Sequence, residues 1–240
     1  MSQECPTIVG VALNGRVVPN PCTVVRNNPH PGRGTVLVLG TPRGGTSVVA
    51  GICHLLGVPM GADVDSSNVE DRTFQRVLAS PQVVRDSTVY FAEAAKRAPI
   101  VGVKNPTIID HLAEFYAVIP DPILVVVSRD VYATAQREES NGNDFMQGLR
   151  AAVRRKYAIL DFVAAVSAPL VVVSYERLIT QPEAAIETLS RFILGAVDAD
   201  LVGRAAPLVR SHADMPNDVD FVIERMLLNV GALGDQRTVA

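Results

Sequence analysis

Thr35-Val-Leu-Val-Leu-Gly40-Thr-Pro-Arg43-Gly-Gly45-Thr46-Ser47 is an aliphatic run that empties into a glycine-rich turn and then into a segment with helical spacing. A buried strand, a tight turn and a helix start in that order aim several free backbone N–H groups and the positive end of a helix dipole at one spot, which makes a phosphate site. Against the pattern GxxxxGK[ST] of nucleoside triphosphatases, Gly40, Gly45 and Ser47 fit, but Thr46 stands where the Lys belongs. The cation sits inside the loop instead, at Arg43. Without the Lys that contacts the β/γ-phosphates, hydrolysis of ATP or GTP is disfavoured. The dinucleotide pattern GxGxxG is also absent. The alternative reading of the same residues is a turn that only starts a helix.

Outward from this loop, further short aliphatic runs at 99–103, 123–128 and 170–174 are separated by longer segments of helical spacing. Strands apolar on both faces that alternate with helices predict an α/β domain with a central parallel sheet flanked by helices. Helices are expected at 46–56, 130–139, 144–166 and 183–194. Asp144 is the expected N-cap of the third, whose apolar stripe is Phe145, Leu149, Val153, Leu160 and Val163, and Pro182 sits in the first turn of the fourth. Upstream, residues 9–13 and 16–18 flank Asn14-Gly15, a type I′ hairpin signal, and the chain then reads as coil to Gly32. The expected organisation is a hairpin and coil extension over 1–33, the α/β domain over 34–233 and a frayed end over 234–240.

The chain has 240 residues, 48% of them hydrophobic, enough for one sizeable core. Its net charge of −3, from 22 Lys+Arg against 25 Asp+Glu, gives no global attraction to nucleic acid or to an anionic membrane. Any bound anion must be caught by a local site. No apolar run reaches the ~18–20 residues that span a bilayer, and the first residues lack a signal-peptide pattern, so a cytoplasmic protein is expected. Three scattered cysteines without a CxxC make neither a disulfide framework nor a zinc site. Zero Trp and 5% aromatics argue against a base-stacking platform.

Pro42-Arg43-Gly44-Gly45-Thr46-Ser47 after a strand resembles the phosphosulfate loop of the sulfotransferases, usually Pro-Lys/Arg-Ser-Gly-Thr-Thr/Ser. That family binds 3′-phosphoadenosine 5′-phosphosulfate (PAPS) there, and Gly44 replaces the usual Ser, small for small. Three further segments are similar to family features in the same order. Ile123-Leu-Val-Val-Val-Ser128-Arg129-Asp130 looks like the strand and Arg-Asp/Asn-Pro segment that binds the 3′-phosphate. The Ser that the family carries about two turns into the next helix is missing; Gln136 falls at its place if one residue is deleted, with Thr134 a turn-mate that could substitute. Val101-Gly102-Val103-Lys104-Asn105-Pro106 resembles the segment that supplies an active-site Lys. Val173-Ser174-Tyr175-Glu176-Arg177-Leu178, running to Gln181-Pro182-Glu183, resembles the Tyr-Glu-Asp-Leu segment after the last core strand and reads as structural. The resemblance covers about 36–195.

The resemblance implies in-line sulfuryl transfer from PAPS to a small-molecule or carbohydrate acceptor, with Arg43, Lys104 and loop amides as the cations and donors and no metal. Oligomeric state is not readable. Gly57-Val-Pro-Met60-Gly61 and Ser67-Asn68-Val69-Glu70-Asp71-Arg72 resemble segments of carbohydrate-type and bacterial members that use a Glu, which makes Glu70 the candidate base. Asp71 and His111 are the alternatives. A helix cap at Ser67 or Asn68, with both acids merely favouring its first turn, explains the same residues. Two other functions remain open: a nucleotide or small-molecule kinase with a degenerate loop, its metal carboxylate at Asp130, and a non-catalytic phosphate-binding module.

Overall fold

The aliphatic runs become the inner strands of a five-stranded sheet in the computed structural model, which describes residues 10–13, 16–140 and 142–214. In chain order these are β4 (Gly34–Leu39), β7 (Ile100–Lys104), β8 (Pro122–Ser128) and β9 (Leu170–Ser174), all parallel. A fifth strand, β3 (Cys22–Arg26), runs antiparallel to β9 at the edge, so the sheet is mostly rather than wholly parallel. The sheet order is β3-β9-β8-β4-β7. The β3 segment reads as coil in the sequence because an edge strand alternates buried and exposed residues over a short span. Arg26 locks this edge: its Nε donates to the Ala168 carbonyl (2.6 Å) and its Nη2 to that of Val163 (3.1 Å). Upstream, β1 (Gly10–Leu13) and β2 (Arg16–Pro19) pair antiparallel as expected. The Asn14-Gly15 turn, and the residues from 215 on that include the expected frayed end, lie outside the described residues.

Period-2 alternation splits the strands between two cores. Val36, Val38, Val125 and Val127 pack on one face against α1 (Thr46–Leu55), α8 (Pro182–Leu194) and α9 (Ala199–Asp214). Leu37, Leu39, Leu124 and Val126 pack on the other against α2 (Arg72–Leu78), α3 (Val83–Arg97), α4 (Ile108–Phe115) and α6 (Phe145–Ala165). The remaining elements are α5 (Val131–Glu139), α7 (Tyr175–Thr180) and the two-residue strands β5 (Val64–Asp65) and β6 (Glu70–Asp71). Asp130 and Asp144 cap α5 and α6, accepting from Ala133 N–H (2.9 Å) and Gln147 N–H (2.7 Å).

Helix α6 turns a different face inward than its large apolar residues suggest. It buries Gly148, Ala152, Ile159 and Val163 and leaves Val153 and Leu160 exposed. Small residues set this face, because α5 comes so close that a Cβ on Gly148 would lie 3.2 Å from that of Glu138. Among the described residues no helix is long and apolar enough to cross a membrane.

Strand β4 has its successor β7 on one side and β8 on the other, so the chain reverses its winding there. The crevice at the C-terminal end of β4 is therefore the topological switch point, where open α/β sheets bind ligands.

Burial pushes the Cys22 and Cys53 thiols up to about 12 and also raises the Tyr90, Tyr116 and Tyr175 hydroxyls. Above the ordinary thiol value of ~8.5, the unfolded chain releases protons that the folded chain keeps, so stability falls as pH rises. Lys104, lowered by burial, opposes this as a single group. Urea denaturation under reducing conditions from pH 8 to 10.5 should show stability declining, each thiol contributing up to about 1.4 kcal/mol per pH unit. A Cys22→Ala/Cys53→Ala variant should show a shallower decline.

Candidate functional site

Backbone geometry makes the loop after β4. Arg43 and Gly45 both take left-handed conformations, with φ of +57° and +85°, and Gly44 N–H closes the turn on the Thr41 carbonyl at 2.9 Å. Gly45 is forced: a Cβ there would lie 2.1 Å from the Tyr175 ring. Gly44 is constrained too, by space alone, since its Cβ would stand 2.7 Å from the Thr41 carbonyl oxygen. The replacement of Ser by Gly at 44 is therefore not a small-for-small exchange; this turn has no room for a side chain. No side chain caps α1, so its first N–H groups are left for a ligand.

Arg129, just beyond the end of β8, holds the loop from outside. Its Nη1 donates to the Arg43 carbonyl at 2.8 Å and its guanidinium lies 4.6 Å over the Tyr175 ring. The Lys156 ammonium in turn donates to the Arg129 carbonyl. The Arg43 side chain reaches Glu138 on α5 (3.8 Å), which also accepts from Asn143 (2.8 Å).

On the other side of the cavity, Lys104 ends β7 with its side chain 2% exposed. Its ammonium donates to Glu70 Oε1 at 2.6 Å and to the Asn68 carbonyl at 3.1 Å. Burial pulls this ammonium below the usual lysine value and the charge of Arg43 adds to that, while Glu70 pushes it back up. The turn that delivers both acceptors carries Val69, fully buried at φ +59°. A β-branched residue in that region is strained by about 1–3 kcal/mol.

These groups surround one cavity of about 430 Å³, whose lining includes Pro42, Arg43, Gly45, Thr46 and Ser47 from the loop together with Glu70, Lys104 and Arg129. The volume lies within the range of small-molecule sites, roughly 300–1,000 Å³. Gly44 turns the loop behind this lining. Gln136 is exposed and outside the cavity, and Thr134 is buried with its hydroxyl on the Asp130 carbonyl (2.8 Å). Arg137, not Gln136, faces the cavity from α5, two turns in, where counting without a deletion lands. Asp71 points away from Glu70, as neighbours on a strand do, and accepts from Tyr90 OH (2.7 Å), Thr73 N–H (2.9 Å) and Ala62 N–H (3.0 Å). His111 lies on α4 beside Glu114, away from the cavity. Asp130 spends its carboxylate on the cap of α5. Among the described residues no group of three or more His, Cys, Asp or Glu could hold a metal ion.

Sequence reasoning missed Tyr175 and Glu138 as well as Arg137. Tyr175 was legible as part of a recognisable segment, but its contact with Gly45 needs the fold.

No family model matches the chain, and no curated protein matches it in sequence. Solved structures do. The sulfotransferase domain from the curacin biosynthetic pathway is 15% identical, over 72% of this chain and 77% of that one, with a TM-score of 0.50. The sulfotransferase domain from the Synechococcus PCC 7002 olefin synthase is 17% identical, over 74% and 78%, with a TM-score of 0.51. The chain has a sulfotransferase-type α/β fold.

Gly44→Ser, which writes the usual sulfotransferase residue into the loop, should destabilise the protein by ~1–3 kcal/mol, a melting temperature several degrees lower. Gly45→Ala should cost more, because it adds a forbidden φ to a collision with Tyr175. Differential scanning fluorimetry of both variants checks the order, and a Gly44→Ser protein as stable as the parent contradicts it.

Proposed function

We propose that the chain is a PAPS-dependent sulfotransferase that moves a sulfuryl group to a hydroxyl or amine of a small-molecule or carbohydrate acceptor. The observation that carries the reading is the ion pair of buried Lys104 with part-buried Glu70, 2.6 Å apart, in the wall of the cavity that the glycine-rich loop also lines. An anion loop alone serves any phosphate ligand. A cation and a carboxylate fixed beside it are what a group transfer needs.

In the proposed step the acceptor atom attacks sulfur as the bond from sulfur to the bridging oxygen breaks. The electron pair leaves on the 5′-phosphate of adenosine 3′,5′-bisphosphate, and the acceptor proton goes to Glu70. A carboxylate offers about four lone-pair positions. Lys104 takes one on Oε1, and Gln75 (2.9 Å) and Asn105 (3.4 Å) meet Oε2, so one position is left for that proton. Lys104 meets the charge growing on the bridging oxygen, where a fixed cation acts mainly on the transition state. Arg43, Ser47 and the amides of the loop and α1 hold the phosphosulfate, so fixed cations fill the place of a metal ion. Arg129 and Arg137 take the 3′-phosphate, supported by their common position beside Tyr175 on the cavity wall. In this reading Arg137 replaces the family's Ser.

Adenosine 3′,5′-bisphosphate should raise the melting temperature more than AMP or ATP does, by binding linkage. Arg137→Ala should cut its affinity about tenfold or more, the value of a charge-assisted contact, and leave AMP unchanged. Arg129→Ala should weaken both nucleotides, because Arg129 also holds the Arg43 carbonyl. Equal shifts from all three nucleotides would remove the PAPS assignment.

A further inference from the structure

The carboxylate of Glu70 is held at both ends. Oε1 lies on Lys104 Nζ, while Oε2 accepts from Gln75 Nε2 at 2.9 Å and faces Asn105 Nδ2 at 3.4 Å. The Asn105 amide cannot turn over freely, because its Oδ1 already accepts from Thr107 N–H (2.8 Å) and from the Thr107 hydroxyl (2.7 Å). Its N–H₂ end is therefore committed to Glu70. Gln75 is committed by the helix it stands on, since α2 is capped by Asp71, and Asp71 is bound to Tyr90 and to Ala62 N–H. The two adjacent acids divide the work: Asp71 fixes where α2 starts, and α2 brings Gln75 to Glu70.

A carboxylate that met only Lys104 could swing about its side-chain torsions and carry the ammonium with it. Two of the three N–H donors of Lys104 are used, on Glu70 and on the Asn68 carbonyl. The third is left for the cavity that Lys104 lines. Direction of that donor depends on Glu70 staying where it is.

We propose that Gln75 and Asn105 are positioning residues of the Glu70–Lys104 pair: they clamp Oε2, keep Oε1 on the ammonium, and so hold the remaining Lys104 donor toward the cavity. The proposal rests on the sulfotransferase reading only for the use made of that donor; the clamp belongs to the free protein. The other charged groups around the cavity are Arg43 from the loop, Arg129 from the end of β8, and Arg137 and Glu138 from α5. None of them hydrogen-bonds to Glu70 among the described contacts, so the clamp can be changed without touching them.

The chain has three lysines, Lys96, Lys104 and Lys156, so Lys-selective ¹³C labelling resolves the Lys104 side chain, assigned by its loss in Lys104→Arg. The titration midpoint of its Cε resonance is read without nucleotide. Gln75→Ala and Asn105→Ala should each lower the Lys104 midpoint by roughly half a pH unit or more, since a loosened carboxylate supports the ammonium less. Gln75→Glu, almost the same shape, should raise it by adding negative charge beside the pair. Lys96 and Lys156 should not move. Opposite signs from two substitutions at one position are not produced by general loosening of the fold. An unchanged Lys104 midpoint in Gln75→Ala, or equal movement of all three lysines, overturns the proposal. Calorimetric titration of the parent protein with adenosine 3′,5′-bisphosphate runs beside it, and failure there counts against the sulfotransferase reading alone.

Discussion

An ammonium group taken out of water costs several kcal/mol unless a partner and further hydrogen bonds receive it. Lys104 imposes that demand on one whole corner of the molecule. The strand that carries it, β7, is buried along its length, so the side chain cannot reach solvent, and something must be brought to it. The turn between β5 and β6 is bent to do so. Asn68 offers its carbonyl and Glu70 its carboxylate, at the cost of a buried valine with positive φ between them. Strain of that kind persists only where neighbours over-determine it. Here Asn68 Oδ1 holds Glu70 N–H at 2.9 Å and Asp65 O holds Val69 N–H at 2.9 Å, closing the turn from both sides.

The glycine-rich loop answers a second demand, close approach. It is squeezed between Val127 at the end of β8 and the ring of Tyr175, with glycines at 40 and 45 where a Cβ would overlap Thr46 or the ring. Because Arg129 both grips the loop carbonyl and lies over that ring, three segments distant in sequence are fixed to one another before any ligand arrives. Preorganised donors need no rearrangement at the moment of reaction, which is why such loops are built from backbone held in place by packing.

What the sequence reveals follows from how local each cause is. Inner strands buried on both faces read as aliphatic runs, and the loop reads through its glycines, so the fold class and the strand–turn–helix around residues 42–47 were legible. Glu70 and Lys104 were each singled out through resemblance, but their contact was not legible, because the two stand 34 positions apart in the chain. Strand β3 was hidden by the alternation of an edge, and the inner face of α6 by its dependence on Gly148 and Ala152, which carry no hydrophobic signal. Gln136 and Arg137 differ by one residue, which on a helix is a turn of about 100°, enough to put Gln136 in solvent and Arg137 on the cavity wall.

Charge shows the same division between global and local. A chain with net charge −3 does not draw a polyanion from a distance, since exposed charges are screened beyond about 8–10 Å at ordinary ionic strength. The cavity gathers Arg43, Lys104, Arg129 and Arg137 against Glu70 and Glu138. Four cations in one cavity repel one another when it is empty, and each carboxylate sits where it relieves that repulsion, Glu70 on Lys104 and Glu138 on Arg43. The two pairs differ in permanence. Lys104 is buried and 2.6 Å from a part-buried Glu70, whereas Arg43 is half exposed and 3.8 Å from its partner. In the proposed function, an anion on the loop would compete with Glu138 for Arg43 before it could disturb the Lys104 pair. Arg43 is thus tied to the site mainly through its backbone, by Gly44 and Arg129, whereas Lys104 is tied through its charged end.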